Sequence, residues 1–228
     1  MVCGVMTLAI AHRGDPIGAR ENTLPAFASA MRKGADMVEL DLRVTRDGEI
    51  VVLHDASLSR LWGVERNVRD LDLAEVQKIG RGDVRIPSLH QVLHHVDIPL
   101  MLDFTGSEVV EGALRVVREA GATARSLFVS GNVGALRQLR GSALMARIGL
   151  TWVEAEPPPP ALLRELAAEF WNPAFRLVTP ERVAAAHEHG FKVSTWTVDK
   201  PRHMVRVAEA GVDAIVSNRI AELRRRLA

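Results

Sequence analysis

Eight short apolar runs, each followed by a polar loop and an amphipathic stretch, constrain this chain more than any other feature. The runs fall at residues 7–11, 36–41, 98–103, 126–130, 143–150, 170–172, 192–198 and 213–217. The amphipathic stretches fall at 24–33, 89–95, 108–120, 133–139, 161–168, 181–189, 202–210 and 220–227. Strands that are apolar nearly throughout are covered on both faces, and strands alternating with helices form a parallel sheet. Eight strand–helix pairs in 228 residues predict an α/β fold, a closed (β/α)8 TIM barrel, for which roughly 250 residues is typical. Several helix ends are legible. Thr179-Pro180-Glu181 offers an N-cap followed by proline at the first helical position, and Gly121, Gly190 and Gly211 stop their helices.

The second unit breaks the rhythm. After Asp41, Thr45-Arg46-Asp47-Gly48-Glu49 signals a turn, residues 50–53 form a returning strand, and residues 56–87 form a small inserted lobe before the helix at Leu89. The length suits a single domain, 1–228, carrying that insertion. Pro157–Pro160 marks a stiff surface loop.

Composition closes off several classes. Twenty-nine Lys and Arg against 28 Asp and Glu leave a net charge of +1, so no strong attraction to nucleic acid or anionic membranes is expected. The single cysteine, Cys3, excludes an internal disulfide framework and a cysteine-rich zinc site. No run reaches the roughly 18 apolar residues of a membrane span. The apolar opening, residues 1–11, lacks a basic flank and reads as a buried first strand. The expected compartment is the cytoplasm.

In a barrel of this kind the chemistry sits at the C-terminal ends of the strands. Polar residues gather there: His12-Arg13 after the first strand, Glu39 and Asp41 on the second, His54-Asp55 after the returning strand and Asp103 on the third. Trp196 and Asp199 follow on the seventh, with Ser217-Asn218 on the eighth. Glu39 and Asp41, two apart, project to one face while Val38, Leu40 and Leu42 take the other. Buried together, the two carboxylates repel unless a cation lies between them, and Asp103 adds a third oxygen. All-oxygen coordination selects Mg²⁺ or Ca²⁺ over zinc. The alternative is that these acids pair with arginines across the barrel, and spacing alone does not decide between the two.

His12 and His54 at the same mouth suit acid–base work near neutral pH, although either could be a satisfied structural histidine. Arg13 offers a planar fork for phosphate or carboxylate. Arg13, a cation and two histidines together favour phosphoryl chemistry over acyl transfer. No glycine-rich P-loop and no Gly-x-Ser-x-Gly elbow is present.

The motifs His12-Arg13-Gly14, Glu21-Asn22-Thr23, Glu39-Leu40-Asp41, Thr45-Arg46-Asp47-Gly48, His54-Asp55 and Ile86-Pro87-Ser88-Leu89 closely resemble those of the glycerophosphodiester phosphodiesterase family. So do Trp196-Thr197-Val198-Asp199 and Gly211-Val212-Asp213-Ala214-Ile215. The resemblance implies a barrel with an inserted lobe. It also implies hydrolysis of a small-molecule glycerophosphodiester to sn-glycerol 3-phosphate and an alcohol, with one divalent cation, Mg²⁺ or Ca²⁺. By that likeness His12 and His54 are the acid–base pair and Arg13 binds phosphate. Glu39, Asp41 and Asp103 hold the metal, with Glu21 as a further polar residue of the pocket. Trp196 walls the pocket or packs in the core. Two further readings remain open: lysophospholipase D-type action on lysophospholipids, and a phosphate-binding barrel with weak or lost turnover.

Two departures stand out. On the third strand the family usually shows Glu-x-Lys, whereas this chain has Asp103-Phe104-Thr105. Thr105 cannot replace the lysine charge, and Lys200 and Arg147 are the compensating candidates, Arg147 more naturally a structural ion pair. His90 stands where an acid is common, on a helix outside the mouth. His94, His95, His187 and His189 read as remote from any site, and Arg224-Arg225-Arg226 as a solvated last turn.

Overall fold

A computed structural model describes residues 6–228; Cys3 and the start of the opening run lie outside the described residues. The chain opens with β1 (Leu8–His12), α1 (Leu24–Arg32), β2 (Met37–Val44) and the returning strand β3 (Ile50–Val52). A segment of short elements follows: α2 (Ser59–Trp62), α3 (Leu73–Val76), β4 (Gly80–Arg81) and β5 (Val84–Arg85). Regular alternation then resumes with α4 (Leu89–His95), β6 (Leu100–Asp103), α5 (Val110–Glu119), β7 (Ser126–Ser130), α6 (Val133–Ser142) and β8 (Arg147–Trp152). It closes with α7 (Pro160–Glu165), β9 (Phe170–Pro173), α8 (Pro180–Glu188), β10 (Lys192–Thr195), α9 (Pro201–Glu209), β11 (Ala214–Ser217) and α10 (Ile220–Leu227).

Parallel pairing runs β1-β11-β10-β9-β8-β7-β6-β2, and β2 pairs back to β1, so eight strands close a (β/α)8 barrel. β3 adds to β2 antiparallel, with Leu42 opposite Val52. Several strand ends differ from the sequence expectation. β2 runs on to Val44 rather than 41, because its last residues pair with β3. The fifth begins at Arg147 rather than 143, because α6 continues through Ser142 and the Ala143 N–H closes it on Leu139. The seventh ends at Thr195, although the Val198 N–H still reaches Val216 O of the neighbouring β11.

Two periods of alternation build the core. Outward-facing residues such as Ala9, Val38, Leu40, Leu102, Ile148 and Leu150 pack against Phe27, Leu114, Leu136, Val207 and Leu223 of the helices. Inward-facing Ile10, Met37, Met101, Leu127, Val129, Phe170, Ala214 and Val216 fill the barrel as a separate cluster. Each fully buried Leu, Ile or Phe contributes about 1.5–3 kcal/mol of transfer free energy. Gly149 faces this interior, where a Cβ would meet Val129 Cγ1 at 2.8 Å. The apolar plug fills the lower barrel and leaves the upper end, where strands terminate, to polar side chains.

The segment between β3 and α4 has its own small core of Val51, Leu53, Leu58, Val68, Leu71, Val76 and Ile86. Arg46 anchors it to the end of β2 by two hydrogen bonds to the Asp72 carboxylate, 2.8 and 2.6 Å. Trp62 packs there beneath the Arg20 guanidinium, 4.7 Å above its ring. Among the described residues, no helix is long and apolar enough to cross a membrane.

Candidate active site

Barrel register assembles the site. His12 at the end of β1 lies opposite Glu39 of β2, and Asp41 lies opposite Asp103 of β6. Residues 27 and 62 positions apart thus become neighbours at one mouth. Glu39, Asp41 and Asp103 each present an oxygen, and these atoms all lie within 4.8 Å of one another. Glu39 and Asp41 are buried. Burial pushes the Glu39 carboxyl well above its ordinary range, reinforced by the charges of Asp41 and Asp103. Asp103 is raised to about 7, by burial first and then by Asp41.

Arginine pairing relieves this crowding only in part. The Arg13 Nε lies 3.1 Å from Asp41 Oδ2, its backbone N–H donates to Glu39 Oε2 at 2.9 Å, and Asn22 Nδ2 donates to Asp41 Oδ2 at 2.7 Å. Arg13 divides its charge between Asp41 and Glu21, whose Oε1 is 3.0 Å from its Nη1. Three converging carboxylates, two of them held toward the neutral form, therefore fit a hard divalent cation by donor type and by charge. The arginine alternative and the cation reading meet here, since one guanidinium serves a cluster that carries more negative charge than it can offset.

The loop after β1 is built around unusual backbone. Arg13 (φ 54°) and Asn22 (φ 57°) are both left-handed. Such conformations in non-glycine residues persist where surrounding structure over-determines them, commonly at functional sites. Here the Asn22 N–H donates to Arg13 O at 3.0 Å, and the Asp15 N–H donates to Ala26 O at 3.0 Å, pinning the loop to α1.

His54 follows β3, and the Leu53 N–H donates to Asp41 O at 3.0 Å, which carries the histidine to the same rim. Its Nδ1 is 2.7 Å from Asp55 Oδ1. Asp55 also pairs with Arg60, and Arg60 Nη2 donates to Glu21 Oε1 at 2.7 Å. A continuous line of charge thus links His54 through Asp55, Arg60, Glu21 and Arg13 to Asp41. The Arg60 hydrogen bond, aided by His54 against the opposing effect of burial, holds Asp55 down to about 2. Burial would raise Glu21, but Arg60 and Arg13 hold it below its usual range. His12 is lowered as well, which for an imidazole favours the neutral form: burial and then the Arg13 charge lower it, against a hydrogen bond from its Nδ1 to Asn218 Oδ1 at 2.8 Å.

Below the acids lies a recess of about 30 Å³ lined by His12, Glu39, Met101, Asp103, Val129, Asn172, Trp196 and Val216. That volume suits an ion or a water, so a diester would occupy the rim above it. Trp196 lines this recess, and its Nε1 donates to Asn172 O at 3.1 Å.

His12, Arg13, Glu21, Glu39, Asp41, His54, Asp103 and Trp196 lie at or beside this mouth. Sequence reasoning gave no role to four others. Arg43 sits two positions beyond Asp41 on β2; its Nη1 donates to Thr105 Oγ1 at 2.9 Å and its Nε to His54 O at 3.0 Å. Parity with Glu39 and Asp41 was the available signal. Asn22, Asp199 and Asn218 are the others, and only their positions in loops and at strand ends pointed to them. Arg147 pairs instead with Glu169 near the start of β8, 2.7 and 3.0 Å, at the opposite end of the barrel. His90 stacks on His94, and His187 pairs with Asp213.

Residues 12–222 match the Glycerophosphoryl diester phosphodiesterase family. The chain belongs to that family. It is 32% identical to a glycerophosphodiester phosphodiesterase of Caldanaerobacter subterraneus subsp. tengcongensis, across 93% of this chain and 94% of that protein. Among solved structures it resembles a putative glycerophosphoryl diester phosphodiesterase from Silicibacter pomeroyi, with TM-score 0.90, 26% identity and coverage of 98% and 93% of the two chains. It shares its fold with an Oleispira antarctica phosphodiesterase solved with the product sn-glycerol-3-phosphate, with TM-score 0.91, 22% identity and 97% coverage of both chains. Family membership covers the stretch that holds every mouth residue described above.

Proposed function

We propose that this member of the glycerophosphodiester phosphodiesterase family hydrolyses small glycerophosphodiesters to sn-glycerol 3-phosphate and an alcohol, one divalent cation assisting. The observation that carries this reading is the convergence of Glu39, Asp41 and Asp103 oxygens within 4.8 Å at the mouth bearing His12. These three residues would hold Mg²⁺ or Ca²⁺, which when bound supplies Lewis-acid polarisation of the phosphodiester.

The chain's own residues do the rest. Arg13, with its Nη1 braced by Glu21, offers charged donors to a non-bridging phosphate oxygen. Arg43, reaching the rim at Thr105, supplies the second cation that the uncharged Thr105 lacks. One of His12 and His54 takes the proton of the attacking hydroxyl, from water or from the substrate's own 2-hydroxyl, as the new O–P bond forms. The other donates a proton to the departing alkoxide as its P–O bond breaks. Trp196 walls the recess beneath the phosphate.

His12→Ala and His54→Ala test the pair directly. Each variant should lose roughly 10²–10⁴-fold in kcat on glycerophosphocholine while keeping its fold by circular dichroism. Wild-type turnover in either variant would remove that histidine from the chemistry.

A further inference from the structure

Two residues at adjacent strand ends, Asp199 and Asn218, have no part in the reading above, yet they meet His12. The Asn218 side-chain Nδ2 donates to Asp199 Oδ2 at 2.8 Å, and the Asn218 backbone N–H donates to Asp199 Oδ1 at 2.9 Å. Ser217 Oγ donates to that same Oδ1 at 3.1 Å. An ionised carboxylate only accepts, so the NH₂ end of the amide must face Asp199. The carbonyl end is thereby turned toward His12, with Oδ1 at 2.8 Å from Nδ1. An amide oxygen also only accepts, so the hydrogen of this contact belongs to His12 Nδ1. In the neutral ring Nε2 then carries the free lone pair. Nε2 is the nitrogen directed at the acid cluster, 3.8 Å from Glu39 Oε2.

His54 differs in kind. Its Nδ1 meets the carboxylate of Asp55 rather than a neutral amide. An amide oxygen fixes a tautomer without placing a charge beside the ring.

We propose that Asp199 and Asn218 are positioning residues: together they lock His12 in the Nδ1–H tautomer and leave its Nε2 free to take the proton of the attacking hydroxyl. The proposal rests on the acid–base reading for its consequence but not for its geometry. Asp199 orients the amide, the amide orients the ring, and the ring presents its lone pair. Without Asp199 the amide can flip, place its NH₂ against Nδ1 and force the hydrogen onto Nε2, which then has no lone pair to offer.

The test is long-range ¹H–¹⁵N NMR of the full chain labelled on histidine, at a pH above about 8 where an ordinary imidazole is neutral. An unprotonated ring nitrogen resonates far downfield of a protonated one. In the unsubstituted protein His12 should show protonated Nδ1 and bare Nε2. Asp199→Ala should give a mixture of tautomers and lower kcat by about 10–100-fold with KM little changed. Asn218→Ala should do the same. The exchanged pair, Asp199→Asn combined with Asn218→Asp, restores an acceptor facing Nδ1 and should recover the tautomer and most of the lost kcat. Protonated Nε2 in the unsubstituted protein would overturn the proposal even if every variant failed to fold. So would an unaltered tautomer in folded Asp199→Ala or Asn218→Ala. Failure of the acid–base reading is read separately, from full turnover in His12→Ala, and leaves the tautomer measurement standing.

Discussion

Asp103 shows what crowding three carboxylates does to a single residue. Its carboxyl is raised to about 7 by burial and by Asp41, against about 3.9 in an unfolded chain. A raised folded-state value means the native protein holds a proton the unfolded chain has released. The stability this confers is complete below about pH 4 and lost as pH rises to about 7. In chelator, Asp103→Asn should therefore gain stability relative to the unsubstituted protein as pH rises through that window, read by urea denaturation at several pH values. Saturating Mg²⁺ should flatten the difference by stabilising the ionised cluster. A constant offset across pH 4–7 would show that Asp103 feels no such crowding. In the proposed reading Arg43 stands in for the missing lysine charge. Arg43→Ala should lower kcat/KM on the order of 10²-fold, the usual cost of one charged contact to a developing anion. Thr105→Lys should gain little, because the new ammonium would share its place with the guanidinium. A large gain from Thr105→Lys would instead show that the rim lacks a cation. Acids and histidines were legible from their positions on strands. The partners of each were not, because Asn218 meets His12 across 206 residues and only barrel closure brings them together.

At the scale of elements, the loop from β1 to α1 does most to aim the site. Gly14 adopts φ 81°, and a Cβ there would meet the Ala26 backbone carbon at 2.8 Å and its oxygen at 2.9 Å. Gly14→Ala thus combines backbone strain with a clash against the rigid start of α1. It should cost about 1–3 kcal/mol of stability, measured by urea unfolding, and should reduce turnover by moving Arg13. A variant with unchanged stability would mean that α1 can withdraw freely. The same element shows which parts of the fold a sequence reveals. Thr23, Ser88 and Thr179 cap their helices through side-chain oxygens, and such local rules read directly from sequence. β8 began four residues later than expected because the apolar stretch at 143–146 serves the end of α6. The elements between β3 and α4 are too short to show a period. They were legible only as a break in the rhythm, and their packing as one small cluster was not.

For the molecule as a whole, closure of the sheet is what makes the chemistry possible. β1, β2 and β6 contribute His12, the acids and Arg43, while β10 and β11 lead to Asp199 and Asn218. No one unit contains a site; the pairing of β1 with β2 and of β2 with β6 creates it. Eight repeats of strand and helix in the sequence made that closure readable, since few other folds accommodate the pattern. The exact line of ion pairs around the mouth depended on where loops turn, which no periodicity encodes. The central claim is that one cation and one phosphate share this mouth. A crystal structure of the protein soaked with Mg²⁺ or Ca²⁺ and sn-glycerol 3-phosphate tests it most directly. The account predicts the ion bound by Glu39, Asp41 and Asp103, with the phosphate between it, Arg13 and the two histidines. An ion bound elsewhere, or a phosphate seated away from His12 and His54, would contradict it.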